Sequence, residues 1–551
     1  MSCFRTVYLK TLLSCFLITG IYAQHVYERG TFVSYPAGKH VNHSHYSTWN
    51  VYFAVEDGVI VYNHHKGEWL DPITASNGLS QYPVLRVWQN ASTQDVWMVT
   101  PDFVFVYDEL ADWMTKMPLP ADPDFSGTYE IGISDAYAIV SATSQEGDAK
   151  YSAIFSKTAG AFEGWGANTE LDVDWDNVDW IHSVSDEQLD IYESLPVQTV
   201  KEGSFDAEGK LHLDGHPRNS LGIVSSLTGE STTGESFLST YGMGIFYQNI
   251  LGGEFSSLPY GLLSPDVMAL EMFNGKLVIG GRAGLTFMDS TTFAYDEAIR
   301  DIAWDYSFIS DIDASQENLL IAARGGVYRQ DKSQNGWERV LTKKDLTSDR
   351  IYSVATGRDG NIMVATERNA YLFHESGMIL HTLFPKGLNW PVFDVNYKDG
   401  QFYLSTFYGL YIYDEEGLQF SSRVNSSGDI LPISENAASD PIYESVVAGD
   451  ILWATTHRGL MKLNLLTKEG EFHLSPSSTF KPRGLAVTRK SIWIGTDIGL
   501  YSFDSKSSSW RHYTVNDGLI SSFITDLIAR DGYIWAGTNL GLTRIKWKNL
   551  Y

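Results

Sequence analysis

One repeated phrase limits the folds open to this chain more than any other feature of its sequence. Ile492-Trp-Ile-Gly-Thr-Asp-Ile-Gly-Leu500 returns as Ile534-Trp-Ala-Gly-Thr-Asn-Leu-Gly-Leu542. Degraded copies stand at Ile451–Leu460, Phe402–Leu410, Ile362–Thr366, Leu319–Val327, Leu277–Leu285 and Phe237–Ile245, and near the start at Val51–Val59 and Val96–Thr100. Neighbouring copies are mostly 40 to 45 residues apart. Tyr137-Ala-Ile-Val140 fits the next step, and the 100 residues from there to Phe237 hold one or two long, divergent units.

Each unit reads as four short strands. Phe523–Ile528 runs into the Asp531-Gly532 turn, Ile534–Gly537 is short and apolar, Leu542–Ile545 follows a Gly turn, and Trp510–Thr514 shows the pattern of the fourth strand. Asp-Gly and Asn-Gly pairs supply hairpin turns of the hand that strand twist favours. The 48 Gly and 13% aromatic residues agree, since strands bury flat side chains and turns need positive φ. A helical repeat of this length needs two amphipathic helices per unit, and Gly-punctuated segments cannot supply them. Four strands per period of this length is a propeller blade. The small pair Gly-Thr or Ala-Thr reads as packing, where strands crowd near an axis.

The fold expected is therefore all-β: two β-propellers with about 12–14 four-stranded blades, too many for one ring of four to eight. After its last third strand the chain runs out at Tyr551 without a fourth. Thr31-Phe-Val-Ser-Tyr35 matches the missing one, so the N-terminal strand is expected to close a ring without a free edge. The division read from this is a signal peptide at 1–23, a first propeller at 24–235 plus 490–551, and a second at 236–489. Two consecutive rings are the plainer layout.

Residues 1–23 have the form of a secretory signal: basic Arg5 and Lys10, an apolar run from Thr11 to Ile21, and a small residue, Ala23, before Gln24. A periplasmic, secreted or cell-surface location follows, with no transmembrane anchor, because no later stretch approaches ~20 apolar residues. Cys3 and Cys15, the two cysteines, both lie in the signal, which leaves no disulfide, thiolate site or cysteine nucleophile in the mature chain. Net charge is −27, and −29 once Arg5 and Lys10 are removed. That excess argues against nucleic acid and anionic lipid as partners.

The phrases at 492–500 and 534–542, with Asn516-Asp-Gly-Leu519, resemble the two-component-regulator propeller repeats of Bacteroidota. The resemblance implies the periplasmic ligand-sensing part of a hybrid sensor kinase, in which such repeats usually form two propellers. Those kinases continue into an immunoglobulin-like domain, a membrane helix and kinase domains. A chain ending at Tyr551 is expected not to signal across a membrane by itself. The chain also resembles the PorZ-like two-propeller surface components of the type IX secretion system, which handle anionic lipopolysaccharide and add a C-terminal sorting domain.

The most unusual local stretch is Asp172-Val-Asp-Trp-Asp-Asn-Val-Asp-Trp180. Asp172, Asp174 and Asp176 alternate like the start of a calcium loop, but Asn177 stands where such a loop needs Gly and Ser183 where it needs Glu. On a strand the three acids would share one face; otherwise the segment is a solvated loop. Trp175 and Trp180 are the right residues to stack on sugar rings, so Asp172, Asp174, Trp175, Asp176 and Trp180 are the candidate ligand-binding set. His40, His43 and His45, with His64 and His65, form a second cluster, which strand alternation would split. Gln330–Trp337 reads as a turn with a docked Trp. Nothing resembles a nucleophile elbow, phosphate loop or metalloprotease helix. The reading is a non-catalytic recognition protein without a cofactor, binding a carbohydrate, lipid-linked sugar or protein. The alternatives are a scaffold in an envelope assembly and a polysaccharide lyase or hydrolase.

Overall fold

The computed structural model describes residues 27–550, apart from 122–127, 144–149, 182–202, 206–209, 214–221, 231–233, 250–253, 291–292, 294, 300–307, 316–317, 332–336, 343, 347, 349, 385–389 and 434–437. The expected signal at 1–23 lies outside these residues. The described chain forms eleven antiparallel sheets, eight of them four-stranded. Its only helical elements are short 3-10 turns. These sheets have the form of propeller blades.

Two runs of sheets follow one another. In the second, the first strands are Val267–Phe273, Ile309–Ala314, Ile351–Thr356, Val392–Lys398, Ile442–Ala448, Pro482–Val487 and Ile524–Arg530. Each packs beside the next, and 524–530 packs beside 267–273. In the first run, Val41–Tyr46 packs beside Arg86–Gln89, and Arg86–Gln89 beside Thr128–Ile133. Gly222–Glu230 packs back against 41–46. The expected boundaries at 235/236 and 489/490 do not respect these units. The first falls inside the strand Glu235–Tyr241, and the second separates Pro482–Val487 from its hydrogen-bonded neighbour Ser491–Thr496. The phase of the repeat located the strands but carried no information about which sheets share an axis.

The repeated phrase has a physical role at each position. Its Thr caps the turn after the second strand: Thr496, Thr538 and Thr406 donate Oγ1 to the carbonyls of Gly499, Gly541 and Gly409 at 2.7, 2.8 and 2.7 Å. The small residue before it admits the next sheet. A Cβ on Gly537 would stand 2.6 Å from Val267 Cγ1, and one on Gly280 2.7 Å from Ile309 Cγ2. The Trp fills the space between sheets. Trp535 is buried with Leu270 and Leu277, and Trp493 with Leu527 and Ile534. The Asp-Gly turns, such as Asp531-Gly532 with φ 51° and 90°, take two successive positive φ values, as a tight hairpin requires.

A second device joins neighbouring sheets. The third residue of a first strand accepts a hydrogen bond from the main-chain N–H of the fourth residue in the next first strand. Asp311 takes Val354 N at 2.8 Å, Ser353 takes Val395 N at 3.2 Å, and Asp394 takes Ser445 N at 2.9 Å. Asp526 takes Leu270 N at 2.7 Å. The first run has joints of the same kind with other acceptors and at other strand positions. His43 Nδ1 takes Val87 N at 3.4 Å, and Ser226 Oγ takes Ser44 N at 3.2 Å.

The strand Phe32–Pro36 occupies the place left open in the last sheet. It pairs antiparallel with Gly541–Ile545, from Phe32↔Ile545 to Pro36↔Gly541. Phe32, Val33 and Tyr35 are buried there. Gly541 has φ 147°, and any Cβ on it would collide with the Tyr35 carbonyl. The irregular stretch after 163 belongs to two oversized sheets. One has five strands, with Asp179–Ile181 added beside Thr128–Ile133; the other has six, from Gly203–Phe205 to Ser256–Leu258.

Candidate functional site

The strand 32–36 lies where the two runs meet. Thr74-Ala-Ser-Asn-Gly-Leu79 and Thr514-Val-Asn-Asp-Gly-Leu519 are copies of one six-residue phrase. Each folds into a 3-10 turn capped by its Thr and closed by a left-handed Gly. The two turns pack against each other, one from each run. Ser34 ties the strand to one of them, donating Oγ to the Gly518 carbonyl at 2.8 Å. A Cβ on Gly518 would stand 2.9 Å from Phe32 Cβ and 3.2 Å from Ser76 Cα, so only Gly admits this approach.

Beside the junction is a cleft of about 330 Å³, lined by 27–33, by both runs, and by the two capped turns. Its walls are aromatic and its polar groups acidic. Tyr27 donates to Asp517 Oδ1 at 3.2 Å, and its ring lies 5.2 Å from Phe32. Tyr107 donates to Asp112 at 2.6 Å and accepts from Asn77 Nδ2 at 3.1 Å. Tyr52 donates to Glu109 Oε1 at 3.1 Å, and Arg29 Nη1 donates to the Glu109 carbonyl at 3.1 Å. Burial pushes the Glu109 carboxyl up, with Tyr52 and Arg29 opposing. Burial and the Asp517 charge push the Tyr27 hydroxyl up to about 12. The Tyr27 hydroxyl therefore stays protonated at neutral pH and acts as a fixed donor.

Asp71, on the rim, faces Arg544 Nη2 at 3.9 Å. The Arg544 guanidinium is held over the Phe293 ring at 3.7 Å, with Tyr533 at 5.4 Å. A guanidinium fixed this way gives its strand a rigid footing against the first run. Convergent hydroxyls, carboxylates and ring faces in a preformed cleft suit hydrogen bonding to a polyhydroxylated or amine-bearing ligand.

The sequence-predicted residues lie elsewhere, in the first run. Asp172 and Asp174 precede a 3-10 turn, Trp175–Asn177, and only Asp179–Ile181 is a strand. The three acids therefore do not share the face of a strand. Asp172, Asp174 and Asp176 are exposed, and the Asp174 carboxylate accepts from Asn177 Nδ2 at 2.7 Å. Trp175 and Trp180 do come together, their rings parallel within 5° at 6.3 Å. Trp180 lies over Gly132, where a Cβ would be 3.0 Å from its ring. Among the described residues no three His, Cys, Asp or Glu side chains are placed to hold a metal ion.

The histidines split into separate places, with only His64 and His65 in ring contact with each other, their centroids 4.3 Å apart. His43 is buried and His45 lies deep, and burial lowers both, His45 to about 4. His40 lies 3.6 Å from Glu56 at the surface. His64 Nδ1 lies 2.9 Å from Glu235, whose carboxylate also accepts from Tyr46 at 2.9 Å, tying the sheet at 41–73 to the one at 222–258. Sequence reasoning missed the cleft because its residues come from four distant segments. The signal available was the phrase at 74–79 and 514–519.

No protein-family model matches the chain, and neither does any curated protein sequence. Solved structures do. PorZ of Porphyromonas gingivalis, described as an essential bacterial surface component of the type-IX secretion system, is 12% identical. That match covers 94% of this chain and 87% of PorZ, with a TM-score of 0.58. The extracellular domain of the hybrid two-component system BT4673 of B. thetaiotaomicron is 15% identical over 92% of this chain and 70% of that one, with a TM-score of 0.43. The β-propeller domain of Cps50 from Myceliophteria thermophila is 13% identical over 52% and 98%, with a TM-score of 0.41. Both families that the repeats resemble are thus among the structural neighbours. At these identities the agreement with PorZ establishes a shared fold.

Proposed function

We propose that this chain is an exported, non-catalytic recognition protein made of two consecutive β-propellers that binds an extracytoplasmic glycan. The first propeller spans 41–258. The second has seven blades, spans 267–545, and is closed by the strand 32–36. The hydrogen bonds from Ser44 to Ser226 and from Leu270 to Asp526, each joining a last sheet to a first, support two closed rings. The signal at 1–23 and the PorZ-like fold support export.

The observation that carries the binding reading is the cleft at the junction. Its Tyr27 and Tyr107 hydroxyls and its Asp112, Asp517 and Glu109 carboxylates are held in place by neighbours rather than free to relax. Preorganised polar groups beside aromatic faces lose little entropy when a sugar docks. The parallel Trp175–Trp180 pair, with Asp172, Asp174 and Asp176 around it, supports a second sugar contact. A scaffold role in an envelope assembly, the role in PorZ's description, is the competing reading.

The test is a glycan array followed by calorimetry on the chain from Gln24. A bound oligosaccharide is expected to lose about tenfold in affinity in Tyr107→Phe, the worth of roughly one hydrogen bond. If no glycan binds and only protein partners are retained, the scaffold reading replaces this one.

A further inference from the structure

The joint between the strands 41–46 and 86–89 leaves two buried donors over. The Val87 N–H donates to His43 Nδ1 at 3.4 Å, so Nδ1 is the acceptor and the proton of the neutral ring sits on Nε2. His43 is wholly buried, and its Nε2 meets no acceptor. The residue before Val87 is Arg86, which is only 9% exposed. Its Nη1 donates to the adjacent Leu85 carbonyl at 2.8 Å. Its Nε is buried and meets nothing.

A cation taken out of water needs an anion beside it. Two other guanidiniums drawn into the fold have theirs. Arg329 lies between Glu338 at 2.7 Å and Glu375 at 2.5 Å, and Arg544 faces Asp71 at 3.9 Å. Among the described residues Arg86 has no carboxylate within ion-pair distance. Glu130 acts on it from further away, and that charge is outweighed by burial, which lowers Arg86. His45, the other titratable neighbour of His43, is held to about 4 by burial and brings no negative charge.

The free donors also select the shape of what they would hold. With Nη1 taken by Leu85, the open edge of Arg86 is Nε with Nη2. Those two parallel N–H groups grip two oxygens of one oxyanion, a match that a single spherical ion lacks. We propose that a small oxyanion binds between the first strands 41–46 and 86–89, held by the Nε–Nη2 edge of Arg86 and by the Nε2–H of His43. It supplies the counter-charge that Arg86 lacks and ties two neighbouring sheets of the first run. The depth of both side chains favours a free ion over a group carried on a large partner. A chain of net charge −27 repels anions at large, so a saturable response to one marks a local site.

The experiment uses the chain from Gln24 in sodium chloride at pH 7.5, with chloride replaced by sulfate or phosphate at constant ionic strength. Calorimetry is expected to show one site. At about a hundredfold excess over Kd the oxyanion is expected to raise Tm by roughly 5 °C, and chloride is not. Arg86→Met removes the charge at similar volume. It is expected to lose the shift, and to melt no lower than wild type in chloride because an unpaired buried charge is gone. Arg86→Lys keeps the charge without the two-point edge and is expected to bind about tenfold more weakly. Arg483→Met, which removes an exposed cation of the second run, is expected to keep the full shift. Sulfate also stabilises proteins by exclusion from their surface, an effect that does not saturate and is common to all the variants. No site in the wild-type titration overturns the proposal, as does a saturable shift that survives in Arg86→Met, is matched by chloride, or is lost in Arg483→Met. Wild-type affinity in Arg86→Lys overturns it as well.

Discussion

The two runs of sheets use one joint and fill it with opposite chemistry. In the second run the acceptors at the joint are mostly carboxylates, Asp311, Asp394 and Asp526. In the first they are the imidazole of His43 and the hydroxyl of Ser226, and the nearest titratable neighbours of His43 are Arg86 and His45. Backbone geometry asks only for an acceptor of the right reach, so the same joint tolerates an anion, a neutral ring or a hydroxyl. What that choice sets is how each run responds to protons.

The comparison can be broken most severely at its hinge. Deleting Phe32–Pro36 leaves Gly541–Ile545 as an exposed edge and removes five buried residues, Phe32, Val33 and Tyr35 among them, from the second run. The expected outcome in size-exclusion chromatography is loss of soluble monomer. Next in size are the closing joints themselves. Asp526→Ala leaves the main-chain N–H groups of Leu270 and Leu527 without their acceptor and should cost about 2 kcal/mol. Ser226→Ala, at the equivalent joint of the first run, should cost about 1 kcal/mol. Denaturant melts of the pair measure whether the two joints carry different weight.

The smallest effect, and the sharpest test of the contrast, is pH. Burial raises Asp394 to about 6, against hydrogen bonds from Ser445, Val395 and Ser353, and raises Asp526 and Glu271 to about 7, with neighbouring acids adding to these two. Asp311 and Glu444 are also raised, Asp313 faces Glu271, and Arg530 opposes the shift of Glu271. The unfolded chain releases these protons near pH 4. The folded second run therefore holds more protons, and its stability falls as pH rises from about 4 to about 7. His43 and His45 act the other way. The unfolded chain protonates them below about 6.5, while in the folded first run burial holds both down, His45 to about 4, so these two make its stability fall as pH drops, against the opposite pull of Asp57, which burial and Glu56 raise to about 7. Hydrogen exchange, corrected for intrinsic rate, should show strands of 267–545 better protected at pH 5 than at 7.5, and 41–89 less protected. Parallel behaviour of both runs would remove the contrast.

Much of the fold was legible in the sequence because the packing rules act locally. Thr496 and Thr538 cap turns within their own hairpins, Gly537 and Gly280 sit where a next sheet must come close, and Trp493 and Trp535 fill the space between sheets. Each leaves a trace at a fixed place in the phrase. Phe32–Pro36 was legible for the same reason, as a fourth strand displaced to the other end of the chain. Which sheet follows Ile524–Arg530 in space was not, because that depends on contacts across more than 250 residues of chain, such as Asp526 with Leu270 and Gly537 with Val267. Asp526 itself sits inside Phe523-Ile-Thr-Asp-Leu-Ile528, where it looks like any polar residue of a strand. The acidic stretch at 172–180 drew attention by composition, yet of its residues only Trp175 and Trp180 prove to be arranged together. The cleft at Tyr27, Glu109, Tyr107, Asp112 and Asp517 draws on segments up to 490 residues apart, and no local pattern announces it.

The strand at 32–36 also fixes an order of events. Ser34 meets Thr543 across 509 residues of chain. A polypeptide made and exported from its N-terminus delivers that strand among the first segments and its partner among the last. The last sheet therefore stays a strand short through nearly the whole of synthesis. Contacts this distant in sequence form late and slowly. The first-made segment is among the last to be placed, and any factor that holds residues 27–36 in the meantime controls when the protein becomes itself.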